Sequence, residues 1–237
     1  MIEISGITKR FGATVAVDHL DLQVMDGEIF GFIGPNGAGK TTTIKTIVGM
    51  LRPDEGEVRV NGIDVLRNPI AAKSIMAYVP DTPDVYEKLT GIQYIGFVAD
   101  AFRVPADERK RRTAELASVF EMEGALGDLI ESYSHGMRQK MVLISALVHS
   151  PRVWVLDEPL VGLDPKSAFA LKTMMRQHAD AGNTVFFSTH ILEVAEKLCD
   201  RIGIIVQGKL VACGAVDELR TRKDDTLESI FMDLVDR

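Results

Sequence analysis

Residues 133–165 read YSHGMRQKMVLISALVHSPRVWVLDEPLVGLDP, and the fold turns on them. Ser134-x-Gly136 is a turn that opens a helix. Val153-Trp154-Val155-Leu156 follows as a short apolar run of strand length. That strand ends in two acids, Asp157 and Glu158, and a third, Asp164, lies a few positions on. A helix feeding a buried strand that ends in carboxylates is an α/β signature rather than an all-α or all-β one.

Working outward, residues 34–42 read GPNGAGKTT, between a short apolar strand (28–33) and an amphipathic helix (40–51) with Ile44, Ile47, Val48 and Leu51 on one face. Gly34-x-x-x-x-Gly39-Lys40-Thr41 has the form and the context of a P-loop. Its glycines turn backbone amides inward around phosphates, and the next helix adds its positive end. The expected ATP contacts are Gly34, Pro35, Asn36, Gly37, Ala38, Gly39, Lys40, Thr41 and Thr42. Lys40 is expected at the β/γ-phosphates and the Thr41 hydroxyl on Mg²⁺. An apolar strand ending in two acids is, alone, equally well a strand with solvated carboxylates. With the P-loop upstream it reads as a Walker B pattern. Asp157 then organises Mg²⁺ and Glu158 polarises the attacking water.

The rest of the chain supplies the frame. Residues 2–8 and 16–24 alternate as an antiparallel pair, Asp26-Gly27 is a turn, and 57–60 and 76–79 are further strands. Between 82 and 150 the pattern becomes helical, over 91–102, 106–121 and 137–149. A parallel α/β pattern resumes with strands at 153–156, 184–188 and 202–206 and helices at 166–181 and 192–199. The expectation is one domain over 1–237: an α/β P-loop NTPase core, with a mixed, mainly parallel sheet and an N-terminal antiparallel portion. A helical subdomain at about 82–150 is inserted in it, and 221–237 form a helical tail. In that tail Leu227, Ile230, Phe231, Leu234 and Val235 fall at helical spacing, and Asp225 with Glu228 resembles a capping box. Such a helix docks on its own domain or meets a second subunit.

Composition narrows the class. The 237 residues carry 27 Lys+Arg against 34 Asp+Glu, a net charge of −7, which speaks against nucleic acid as a partner. No stretch of 18 apolar residues is present, and residues 1–12 lack the apolar core of a targeting segment. Cys199 and Cys213 have no metal-ligand spacing and read as two buried, reduced thiols of a cytosolic protein.

On the P-loop, the LDEP box and Ser134-x-Gly136, the chain resembles the ATP-binding subunits of ABC transporters over essentially its whole length. The resemblance implies further parts. Ser134, His135, Gly136 and Met137 stand at the signature motif, Gly162-Leu163-Asp164 at the D-loop and Ser188-Thr189-His190 at the switch histidine, with His190 on the γ-phosphate. Phe11 stands where an aromatic ring stacks on adenine, against the alternative of a core Phe. Two ATP-binding subunits, as homodimer or heterodimer, would face head to tail, Ser134 and Gly136 of one closing over the nucleotide of the other. The partner would be an integral membrane permease, and the location the cytoplasmic face of the membrane.

The chain departs from the family pattern in two places. The signature Leu-Ser-Gly-Gly-Gln is here Tyr133-Ser134-His135-Gly136-Met137, a change that leans towards the export-type (ABC-2-like) branch. The Q-loop position holds Asp81, which either ligates Mg²⁺ or caps the turn at Thr82-Pro83. Tyr86, Tyr94, Phe97 and Phe102 either line a permease groove or belong to the core. The run Arg109-Lys110-Arg111-Arg112 is most simply a solvated helix face, with anionic lipid as the alternative. The runner-up function is an ABC ATPase that moves no solute, for example one in iron–sulfur assembly. The stretch between Lys40 and Ser134 has no heptad arm of the chromosome-organising kind.

Overall fold

A computed structural model of the chain describes residues 1–219 and 227–235. Its strands are β1 (Ile2–Phe11), β2 (Thr14–Val24), β3 (Ile29–Ile33), β4 (Glu55–Val60), β5 (Ile63–Asp64), β6 (Met76–Val79), β7 (Val153–Asp157), β8 (Thr184–Thr189), β9 (Arg201–Val206) and β10 (Lys209–Gly214). Its helices are α1 (Lys40–Ile47), α2 (Pro69–Ser74), α3 (Gly91–Ala101), α4 (Ala106–Val119), α5 (His135–Leu147), α6 (Pro165–Asp180), α7 (Leu192–Leu198), α8 (Val216–Leu219) and α9 (Leu227–Val235).

Two sheets form. One is antiparallel, in the order β2-β1-β4-β5; the other runs β10-β9-β3-β8-β7-β6 and is parallel except for β10. The parallel strands are buried on both faces, as their continuous apolar runs require. Alternation then sorts their side chains. Val153 and Val155 of β7, Phe186 of β8 and Phe30 and Phe32 of β3 face the antiparallel sheet and α1. Trp154, Leu156, Val185 and Phe187 face the cluster built with α3, α5 and α6. Trp154 stacks on His178 with ring centroids 4.2 Å apart.

Helices α3, α4 and α5 lie between β6 and β7 in the chain. The start of α3 is a reciprocal cap. Thr90 accepts from the Gln93 amide at 3.3 Å, and the Gln93 side chain accepts from the Thr90 amide at 2.9 Å. Three of the four arginine-run side chains are engaged in ion pairs: Arg109 with Asp100, Arg111 with Glu108 and Glu115, Arg112 with Glu108. That accords with a solvated helix face.

The differences from the sequence reading have local causes. The helix expected over 40–51 ends at Ile47, because Gly49 takes a left-handed φ of 65°. The helix expected from Met137 starts two residues earlier at His135, capped by Ser134. The short elements α2, α8 and β5 and the edge strand β10 escaped the pattern. β10 closes a hairpin on β9 through Gln207 and Gly208, at φ 48° and 81°, the primed turn that tight hairpins favour. Cys213 sits on the exposed face of β10, correcting the expectation of two buried thiols. Cys199 is partly buried, and desolvation pushes its thiol upward. Helix α9 docks on its own chain, with Leu227 buried and Ile230, Phe231 and Leu234 packed against the cluster of Ala195, Ile202 and Ile204. The capping residue Asp225 and the rest of 220–226 lie outside the described residues. No helix among the described residues is long and apolar enough to cross a membrane.

Candidate nucleotide site

Strands β3, β7 and β8 are neighbours in the parallel sheet, so their C-terminal ends bring Gly34, Asp157-Glu158 and Ser188-Thr189-His190 to one edge. That edge of an open α/β sheet is where such folds bind ligands. At two of its glycines the loop is wedged so tightly that a side chain cannot be added. A methyl on Gly34 would meet the Ile205 carbonyl at 2.4 Å. One on Gly39, whose φ is 107°, would meet the Ala16 carbonyl at the same distance. Gly39 leads into α1 with no side-chain cap and no acid in the first turn, so the helix-end amides remain available to an anion.

Lys40 lies inside the loop, 8% exposed, and donates to the carbonyls of Gly34 at 2.7 Å and Pro35 at 3.2 Å. Its ammonium is 3.9 Å from Glu158 Oε1. Burial lowers its pKa, opposed by the charges of Glu158 and Asp157. Thr41 Oγ1 donates to Asp157 Oδ2 at 2.7 Å, and Ser188 Oγ donates to Asp157 Oδ1 at 2.5 Å. Asp157 is fully buried. Desolvation raises its carboxyl pKa, against the lowering effect of those two hydroxyls. The Ser188 hydroxyl also accepts the Glu158 amide at 3.0 Å. One buried serine thus joins both acids.

Glu158 has φ 48°, left-handed for a residue with a side chain, a conformation that costs of order 1 kcal/mol or more and clusters at functional sites. It turns the carboxylate back towards His190, whose Nδ1 lies 3.0 Å from Glu158 Oε2. A cleft of about 210 Å³ opens beside these groups, lined by Asn36, Gly37, Gly39, Lys40, Thr41 and Thr42 of the glycine loop and helix start and by Asp81, Asp157 and Glu158. Ala38 is buried behind the loop, its carbonyl accepting the Gly208 amide at 2.9 Å.

Asp81 borders this cleft while its Oδ1 accepts the Thr82 amide at 2.8 Å, the turn-capping geometry. Phe11 ends β1 with 53% of its surface exposed and Lys9 Nζ 5.6 Å from its ring centre, so it is not a core residue. None of Ser134, His135, Gly136 and Met137 lines the cleft of their own chain. Ser134 caps α5 instead, its Oγ accepting the Met137 amide at 3.3 Å. Asp164 caps α6 through the Ser167 amide at 2.9 Å and pairs with Lys140 at 2.7 Å. The Lys140 hydrogen bond, aided by Ser167, holds the Asp164 carboxyl well below the usual range.

Two features had not been read from the sequence. The bridging role of Ser188 was signalled only by its register opposite Asp157 in neighbouring strands, which needs the strand order. Lys140 sits one helical turn beyond Gly136 and has no sequence mark of its own.

A second, larger groove of about 990 Å³ has a mainly apolar lining that includes Val48, Tyr94, Phe102 and Val142, and Asp81 lines it too. Asp81 therefore borders both cavities. Tyr94 and Phe102 are partly buried there, packed against the core, whereas Tyr86 and Phe97 are exposed and meet edge to face at 5.5 Å.

Comparison with known proteins gives the same answer from another side. The model of the family described as ABC transporter matches residues 17–161. The chain is 32% identical over 237 residues to the ABC-type transporter ATP-binding protein EcsA of Bacillus subtilis (strain 168), covering 99% of this chain and 96% of that one. It is 38% identical over 220 residues to the daunorubicin/doxorubicin resistance ATP-binding protein DrrA of Streptomyces peucetius, covering 93% and 67%. Among solved structures, an ATP-binding subunit of an ABC transporter superposes with a TM-score of 0.94 at 32% identity over 99% of both chains. The dimeric cassette MJ0796 bound to ADP and Pi shares the fold at 23% identity, with a TM-score of 0.82 over 91% of this chain and 98% of that one. The chain belongs to the ABC transporter family, among its ATP-binding ATPases.

Proposed function

We propose that this protein hydrolyses ATP in a site shared between two head-to-tail protomers and so drives export through a separate membrane permease. The observation that carries the catalytic part is the unbroken run of contacts Thr41–Asp157–Ser188–Glu158–His190, closed by Lys40. In this reading the loop amides and Lys40 hold the phosphates. Glu158 takes a proton from the water that attacks the terminal phosphoryl group, and His190 orients that carboxylate. Phe11 offers an exposed face to the adenine ring.

Thr41 Oγ1 and Asp157 Oδ2 are hard oxygen donors side by side at the cleft and fit Mg²⁺. Bound there, it would neutralise charge on the phosphate oxygens. Asp81 borders the same cleft, with its Oδ1 accepting the amide of the next residue, Thr82. We read it as part of the link to the larger groove rather than as a ligand.

The trans arrangement is supported by what the cleft lacks. A helix end whose cap carries a serine hydroxyl, with first-turn amides beyond the one that Ser134 itself accepts, suits an anion. The cap of α5 borders no phosphate cleft of its own chain, so a second protomer would supply it with one. Export through a permease at the cytoplasmic face is supported by relatives named for drug resistance and by the apolar groove beside the exposed Tyr86 and Phe97. Those same relatives weigh against the reading in which no solute moves.

Glu158→Gln tests the catalytic reading. It should bind MgATP, lose at least about a hundredfold in turnover and accumulate an ATP-dependent dimer. Normal turnover by that variant would remove Glu158 from the mechanism. Co-purification of the tagged protein with a multi-span membrane protein tests the transport reading.

A further inference from the structure

The loop 158–164 between Glu158 and α6 is fastened to α5 at three points. Near Glu158, the buried Gln139 donates from Nε2 to the Pro159 carbonyl at 3.5 Å. Midway, Gly162 adopts φ 80° with His135 lying against it. A methyl on Gly162 would come within 2.7 Å of His135 Cδ2, and one on Gly136 within 2.7 Å of the Gly162 carbonyl. At the far end, Lys140 Nζ reaches Asp164 Oδ2 at 2.7 Å, with the lysine side chain only 12% exposed. The loop's internal backbone bonds are short-range, Val161 to Glu158 at 3.1 Å and Leu163 to Leu160 at 3.4 Å. They shape the loop without tying it to its surroundings.

We infer that Lys140, assisted by His135, is a positioning residue for hydrolysis: it locks the signature helix to the 158–164 loop, so that the backbone carrying Glu158 follows the head of α5. Glu158 is the residue such a lock would serve. It holds a strained left-handed φ of 48° directly before Pro159, the first residue of the loop that α5 contacts. When the α5 cap closes on a phosphate held by a second protomer, the contacts at 159, 162 and 164 carry that displacement to the base. Lys140 touches none of the reacting atoms in this account, and its effect runs through Asp164. The inference rests on the ATPase reading above.

The test compares Lys140→Met, Lys140→Arg and Asp164→Asn in steady-state ATPase assays, equilibrium ATP binding and thermal melts. Asn at 164 can still accept the Ser167 amide, so that variant removes the charge and keeps the cap. Lys140→Met should lower kcat about tenfold with ATP affinity within about twofold, and Lys140→Arg should restore kcat to within about threefold. Asp164→Asn should match Lys140→Met, and the double variant should be no worse than either single one, the mark of one shared interaction. A folded Lys140→Met with wild-type kcat overturns the inference. So does a parallel loss of ATP affinity and turnover that arginine does not rescue. If Lys140→Met fails to fold, Asp164→Asn decides by the same kcat criterion. Wild-type protein run in parallel separates the two readings, since absent MgATP turnover there defeats the ATPase reading rather than the lock.

Discussion

Ser188 is a small buried hydroxyl with an outsized position: it donates to Asp157 and accepts from the backbone of Glu158. Replacing it with alanine leaves a buried carboxylate short of a donor and the Glu158 amide without its acceptor. Ser188→Ala should therefore cost about 1–3 kcal/mol of stability, visible in urea unfolding, and lower turnover about tenfold. His149 makes a different prediction. Its ring stacks on Phe102 at 3.7 Å and contacts the Met76 carbonyl at 3.1 Å, and burial depresses its pKa to about 4. The folded state thus binds the proton less readily than the unfolded one, whose histidine titrates near 6.5. The neutral ring's stability contribution is full above the unfolded value and is lost as pH falls from about 6.5 towards 4. Between pH 7.5 and 5.5 this one group should remove about 1 kcal/mol. His178, whose pKa burial also lowers to about 4, acts in the same window, so His149→Gln should reduce the slope of that part of the pH profile in chemical denaturation without abolishing it, and an unchanged slope would exclude His149 as a source.

At the scale of elements, legibility followed length and buried periodicity. The glycine loop, α3 and strand β7 running into Asp157 each carried a local pattern that names the element. The pieces that escaped are short or half-exposed: β5 has two residues and α8 four, and β10 alternates on an edge where the hydrophobic signal is weak. The candidate site divides likewise. The residues proposed to meet phosphate were named from motif and spacing. The left-handed Glu158 and the Ser188 bridge were not, because both depend on β7 and β8 being neighbours. The glycine loop carries the sharpest prediction at this scale. Gly39→Ala adds a methyl 2.4 Å from the Ala16 carbonyl at a φ of 107°. The variant should lose detectable ATP binding by calorimetry and destabilise the fold by about 3 kcal/mol or more. Retained affinity would mean that the loop relaxes more than its packing implies.

At the scale of the whole molecule, two cavities share one lining residue, Asp81. Residues of the 78–84 segment line the larger one, and Asp81 of that segment lines the smaller as well. Asp81→Gln keeps a polar side chain there while removing the charge. It should leave ATP hydrolysis by the isolated protein within about tenfold of wild type, because Glu158, Lys40 and Thr41 do not depend on Asp81 for their contacts. Complete loss of steady-state ATPase activity would make Asp81 part of the chemistry.

The claim on which the mechanism stands is that each nucleotide is sealed by the α5 cap of the other protomer, and mixing two damaged forms addresses it most directly. Lys40→Ala ruins a protomer's phosphate loop and leaves its cap intact; Ser134→Arg does the reverse. Each alone should be inactive, but random pairing of equal amounts yields mixed dimers with one whole site, so the mixture should recover about a quarter of wild-type turnover. A mixture of the two folded variants no more active than its separate components would contradict the shared site.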